Sequence, residues 1–87
     1  MRATLPAMMN LKEVVDRYFS LAGWGTPVPL SRFGLSPQET ARLFSALDED
    51  YHISRFLHFS RAEGESYEIG GESVTHVAIE PGISTLL

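Results

Sequence analysis

The chain reads as a small α+β domain, three helices followed by an antiparallel C-terminal β-hairpin or three-stranded meander. Three observations predict this. Asn10 and Ser36 each stand three positions ahead of a glutamate, Glu13 and Glu39, and each opens a run of helical apolar period. Phe33-Gly34-Leu35-Ser36 puts a glycine stop and a serine start between two such runs. After Ile53 the apolar period changes to two, and Gly70-Gly71 marks a hairpin.

The first helix follows Asn10. Leu11, Val14, Val15, Tyr18, Phe19 and Ala22 recur on one face, and Lys12, Glu13, Asp16, Arg17 and Ser20 fill the other. Gly23 is expected as its left-handed cap. Trp24 to Pro29 cannot be helical, because two prolines hold it extended. Trp24 is read as a lid on the core, with a ligand-stacking ring as the alternative. Val28 offers a minimal edge strand. Pro29 to Phe33 fits a short helix stopped by Gly34. Ser36 then caps a helix with Pro37 at its first position, where a missing N–H is harmless. Leu43, Phe44, Leu47 and Tyr51 form its apolar stripe. Asp48-Glu49-Asp50 falls where that helix should end and opposes the macrodipole. Strands are expected from Ile53, at Ser66–Ile69 and at Val74–Ile79. A two-residue loop at Gly70-Gly71 sets Tyr67 opposite Val74. A three-residue loop including Glu72 sets Tyr67 opposite Thr75, on the face of Val77 and Ile79. Turn chemistry favours the first register and the apolar pattern the second.

Residues 1–9 read as a loose N-terminal tail and residues 10–87 as one domain. Apolar residues make up 44% and charged residues 21%, which suits a folded domain rather than a disordered chain. With no cysteine there is no disulfide, thiol nucleophile or cysteine zinc site, in keeping with a cytoplasmic setting. No apolar run approaches the roughly 20 residues of a membrane span, and the first ten residues lack a signal-peptide core. The net charge of -4 leans away from a sequence-indifferent nucleic-acid binder.

The order helix, tight turn, short helix, Gly-Leu-Ser turn, capped helix and hairpin resembles the winged helix-turn-helix superfamily over Leu11 to Ile79. Phe33-Gly34-Leu35-Ser36, then Leu43 and Leu47, then Leu47 to Ser60 as the passage into the wing carry the resemblance. Two positions depart from the family pattern. Leu30 stands where a small residue is usual, and Thr40 where an aliphatic one is usual. The resemblance implies that the helix after the turn enters a DNA major groove. Gln38 and Arg42 would then meet bases, and Arg32 and Arg61 phosphates. Glu39, the Asp48-Glu49-Asp50 cluster and the wing acids Glu63, Glu65, Glu68 and Glu72 would oppose that polyanion.

Other chemistry is sparse. His58 and His76 fall on the outer face of the strands by alternation, with Glu68 between them in the second register. Two histidines and a carboxylate suit zinc. There is no glycine-flanked nucleophile turn and no phosphate-binding glycine fingerprint, so the chain is not expected to be an enzyme or to need a cofactor. Asp48-Glu49-Asp50 lacks the glycine and distal glutamate of a calcium loop. Phe56 pointing out beside Val74, together with Leu86 and Leu87, suggests an apolar contact surface. The leading expectation is a non-enzymatic docking module for a protein partner or a second copy. The alternatives are a DNA-binding regulator and a small metal-binding protein.

Overall fold

The computed structural model describes residues 9–81. Helix α1 spans Leu11–Leu21 and opens on the expected reciprocal cap: Asn10 Oδ1 accepts the Glu13 amide and the Asn10 amide donates to Glu13 Oε1, both at 2.9 Å. Strand β1, Val28–Pro29, leads into a 3-10 turn at Leu30–Phe33, which ends on Gly34 with φ 81°. Helix α2, Pro37–Glu49, opens the same way as α1. Ser36 Oγ accepts the Glu39 amide at 3.1 Å and the Ser36 amide donates to Glu39 Oε1 at 3.0 Å. A one-turn helix α3, Tyr51–Ser54, precedes strands β2 (Leu57–Ser60), β3 (Tyr67–Ile69), β4 (Glu72–Val74) and β5 (His76–Ile79).

The strands form neither a single hairpin nor a meander. β5 lies between β1 and β2 in a three-stranded antiparallel sheet, and β3 and β4 form a separate two-stranded ribbon. The result is an α+β domain with antiparallel sheets whose strand arrangement is not a clear winged helix. The ribbon takes the two-residue register, Tyr67↔Val74. Gly70 and Gly71 both have positive φ, 63° and 81°, as a type I′ turn requires. Side chains at both Tyr67 and Val74 are buried.

One residue makes the division possible. Between β4 and β5, Thr75 donates its N–H to the Ser60 carbonyl and accepts the Leu30 N–H, both at 2.9 Å. Its hydroxyl accepts the Ala62 N–H at 2.8 Å and lies 2.6 Å from His76 Nδ1. Thr75 is buried, so water cannot replace these partners.

The core joins α1, the 3-10 turn, α2 and both sheets. Phe44 lies at its centre, edge-on to Phe33 at 5.2 Å and to Phe59 at 6.2 Å between ring centroids. Tyr18 is fully buried. Its hydroxyl accepts the Thr26 N–H at 3.0 Å and lies 2.6 Å from the Gly23 carbonyl and 2.7 Å from that of Thr26. Arg17, on the polar face of α1, donates to the Phe33 carbonyl at 2.9 Å and so ties that helix to the turn before α2. Both departures from the helix-turn-helix pattern are accommodated. Leu30 is fully buried, and buried Thr40 returns its hydroxyl to the Ser36 carbonyl at 2.9 Å.

Several expectations need correction. Gly23 is not a left-handed cap: the chain leaves α1 extended at Ala22, drawn by the Tyr18 hydroxyl, and positive φ moves to Gly25. Tyr51 is not in the apolar stripe of α2 but 74% exposed, because Asp50 breaks that helix and starts another. The Asp50 side chain accepts the His52 N–H at 3.0 Å, so this acid closes α2 only as the cap of α3. Strand structure begins at Leu57 rather than Ile53. Trp24 is no core lid, being 62% exposed.

Two outcomes test this architecture. Thr75→Val should lower unfolding free energy by about 1–3 kcal/mol, because the Ala62 N–H is left without its acceptor. Thr75→Ser should lose much less, and urea denaturation compares the two. The Glu39 carboxylate is held below its ordinary pKa by hydrogen bonds from the Ser36 amide and hydroxyl. Its contribution is therefore complete above the ordinary glutamate range and disappears as pH falls through the lowered value. Acid titration of stability should show a larger loss for the wild type than for Glu39→Gln.

Candidate functional site

The most distinctive surface feature is an apolar groove of about 270 Å³. Leu11, Val14, Val15 and Phe19 of α1 form one wall, and His52 and Ile53 of α3 with Phe56 form the other. The Leu57–Ile79 end of the sheet closes the floor, and Trp24 stands at one side. Local chemistry explains each wall. The Asn10–Glu13 cap fixes where α1 begins, so Leu11 comes first on its apolar face. The Asp50 cap folds residues 51–54 into a turn and brings Ile53 over the sheet end. The Glu80 N–H donates to the Phe56 carbonyl at 2.9 Å and extends the β2–β5 pairing one step to the groove edge. Val14 and Ile79 are buried, whereas Leu11 is 40%, Phe56 36% and Trp24 62% exposed. Trp24 meets Phe19 edge-on at 4.8 Å, and Phe19 meets Tyr18 at 4.9 Å, so the rim aromatic is braced through α1. The Arg55 guanidinium lies 5.3 Å from the centre of the Phe56 ring.

The proposed protein-contact residues separate. Phe56 belongs to the groove, but Val74 is buried beneath the ribbon and presents no surface. The expectation that the two share an outer patch assumes one sheet. With β4 in its own ribbon, Val74 faces the core. Leu86 and Leu87 lie outside the described residues.

The residues expected to meet DNA are all exposed or half-buried at the surface: Arg32 at the end of the 3-10 turn, Gln38 and Arg42 one turn apart on α2, and Arg61 after β2. Their outward stripe also carries Glu49. β3 packs against α2, and the exposed ribbon acids Glu68 and Glu72 come with it. Gly70 lies so near Asp48 that a Cβ there would sit 2.7 Å from Asp48 Oδ2. Tyr67 donates to Glu65 Oε1 at 3.2 Å. Burial first, and then that carboxylate, push the phenol pKa up.

The metal reading is not assembled. Pairing of His58 with Ala78 and of Ser60 with His76 puts both histidines on the outer face of the three-stranded sheet, but Glu68 is in the other ribbon. His58 Nε2 instead lies 3.7 Å from Glu80 Oε1. Among the described residues no group of three or more metal-ligating side chains comes together.

Sequence reasoning places Leu11, Val15 and Phe19 on the apolar face of the first helix and Ile53 at the start of a strand, and misses their common groove. One signal points to it: six apolar positions along α1 and its C-cap make a stripe wider than a small core covers. None of the described helices is long and apolar enough to cross a membrane. Comparison of the chain with family models, curated proteins and solved structures yields no match.

Proposed function

We propose that this chain is a non-enzymatic interaction module and that the groove between α1, α3 and the sheet end receives an apolar segment of a protein partner. The convergence of Leu11, Trp24 and Phe56 on one apolar groove carries the reading. Isolated exposed apolar residues are ordinary, but a contiguous apolar concavity with an aromatic rim is the usual setting for anchor side chains. The charged rows on α2 and the ribbon lie elsewhere; the lining of the groove is apolar apart from His52, and the Arg55 guanidinium stacks against the Phe56 ring.

A second reading keeps the winged-helix resemblance. It is supported by the 3-10 turn, the left-handed Gly34 and the capped α2, together with Gln38 and Arg42 on one outward stripe. The ribbon acids beside α2 weigh against groove entry, since each carboxylate near phosphate offsets a cation.

Peptides selected on the full chain should be rich in aliphatic and aromatic residues. Phe56→Asp should weaken their binding at least tenfold, the equivalent of about 1.4 kcal/mol, while Arg42→Ala should leave it unchanged. Peptide binding indifferent to Phe56→Asp would remove the reading. In a gel-shift assay at low salt the wild type should retain no DNA. A shift abolished by Arg42→Ala would favour the second reading instead.

A further inference from the structure

We propose that the open edge of β2 takes an extended segment of a protein partner as a further antiparallel strand, with the pattern acid-x-apolar-x-apolar. The inference rests on the docking reading above and gives the form of the docked segment. The hydrogen bonds of the sheet define the edge. In the order β1-β5-β2, β2 has one strand beside it. The Glu80 N–H donates to the Phe56 carbonyl and His58 is paired with Ala78, so the even-numbered residues of β2 turn their N–H and C=O groups toward β5. Leu57 and Phe59 turn theirs away. Among the described residues no partner meets those four groups. Leu57–Ser60 also lacks the usual protections of an edge, having no proline, no lysine and no acid. A row of two donors and two acceptors of this kind is the template that strand addition uses.

The side chains define the occupant. Leu57 and Phe59 point to the inner face of the sheet and are half-buried against the core. Leu57 also lines the groove, so the edge and the groove meet at that residue. In an antiparallel partner strand the residues opposite Leu57 and Phe59 lie on the same inner face, where apolar side chains extend the cover. Arg61 is exposed just beyond β2 and, by alternation, belongs to the face of Leu57 and Phe59. An acid opposite Arg61 supplies the complementary charge. A second copy fits less well. The antiparallel self-pairing that satisfies all four groups sets Leu57 opposite Phe59 of the other copy. It thereby puts His58 against His58 and Arg61 against Arg55, like facing like, between chains that each carry a net charge of -4.

The probe is a synthetic peptide of alternating valine and threonine, with a glutamate two positions ahead of the first valine, titrated into the full chain. Without peptide the amides of Leu57 and Phe59 should exchange freely with solvent and that of His58 slowly. Saturating peptide should slow exchange at Leu57 and Phe59 at least tenfold. N-methylation of the two valines, whose N–H groups face β2 in this register, should abolish that protection. N-methylation of the threonines between them, whose N–H groups face away, should leave it intact. Replacing the peptide glutamate by lysine should weaken binding to the wild type several-fold and strengthen binding to Arg61→Glu. Binding indifferent to which amides are methylated, or to the charge exchange, overturns the proposal. So does protection of Leu57 and Phe59 that rises with chain concentration in the absence of peptide, because the edge then holds a second copy. Phe56-dependent binding of the selected peptides with no protection of Leu57 and Phe59 overturns this inference and leaves the docking reading standing. Binding of neither the probe nor the selected peptides overturns both.

Discussion

Thr75 holds three segments in relation to one another. Its amide faces Ser60 at the end of β2, its carbonyl receives the amide of Leu30 after β1, and its hydroxyl receives that of Ala62 in the following loop. At 3% exposure these groups have no water to turn to. A buried amide without an acceptor costs enough that the chain is obliged to meet all three demands at one place. The strand running from Glu72 to Ile79 therefore cannot stay in one sheet. It gives its first half to the ribbon with β3 and its second half to the sheet, between β1 and β2. Which strand residues share a face follows from that transfer.

The same transfer separates the features legible in the sequence from those that are not. The two reciprocal caps, the Gly34 stop and the Gly70-Gly71 turn each depend on residues at most four apart, and their physics is complete within that span. The partition of the strands depends on contacts between Thr75 and residues 13 to 45 positions away, and no local pattern reports it. The conflict over hairpin register dissolves for the same reason. Alternation counted through Thr75 treats Tyr67, Val77 and Ile79 as members of one sheet. Once the chain changes sheets there, the turn chemistry alone governs the ribbon, and Val77 and Ile79 answer to β2 and β1. Placing Glu68 between His58 and His76, and Val74 beside Phe56, rests on the same assumption and fails with it.

The other illegible features are polar groups serving more than one element. Arg17 looks like a solvated residue of α1, yet its guanidinium meets the carbonyl that ends the 3-10 turn. Asp50 looks like an unfavourable charge at the end of α2, yet it caps α3. Periodicity assigns such residues to the outside correctly and says nothing about their partners. It also cannot distinguish an apolar side chain facing the core from one facing an open groove. Tyr18 and Leu11 read alike in sequence as members of one apolar stripe, although one is buried in the core and the other lines the groove.

The groove is a consequence of the same economy of structure. A chain of this length has one modest core, and α1, the 3-10 turn, α2 and the inner faces of the strands complete it around Phe44. The apolar stripe of α1 continues past what that core covers, and α3 with Phe56 turns toward the excess without closing over it. Burying each additional square ångström of apolar surface is favourable by about 25 cal/mol, so an open apolar concavity is a standing attraction for whatever aliphatic segment reaches it. Trp24 adds to that attraction. The indole is held at the rim against Phe19 and stays 62% exposed, so it does not complete the core. The surface that distinguishes this domain is therefore the apolar concavity that its described residues leave between α1 and α3.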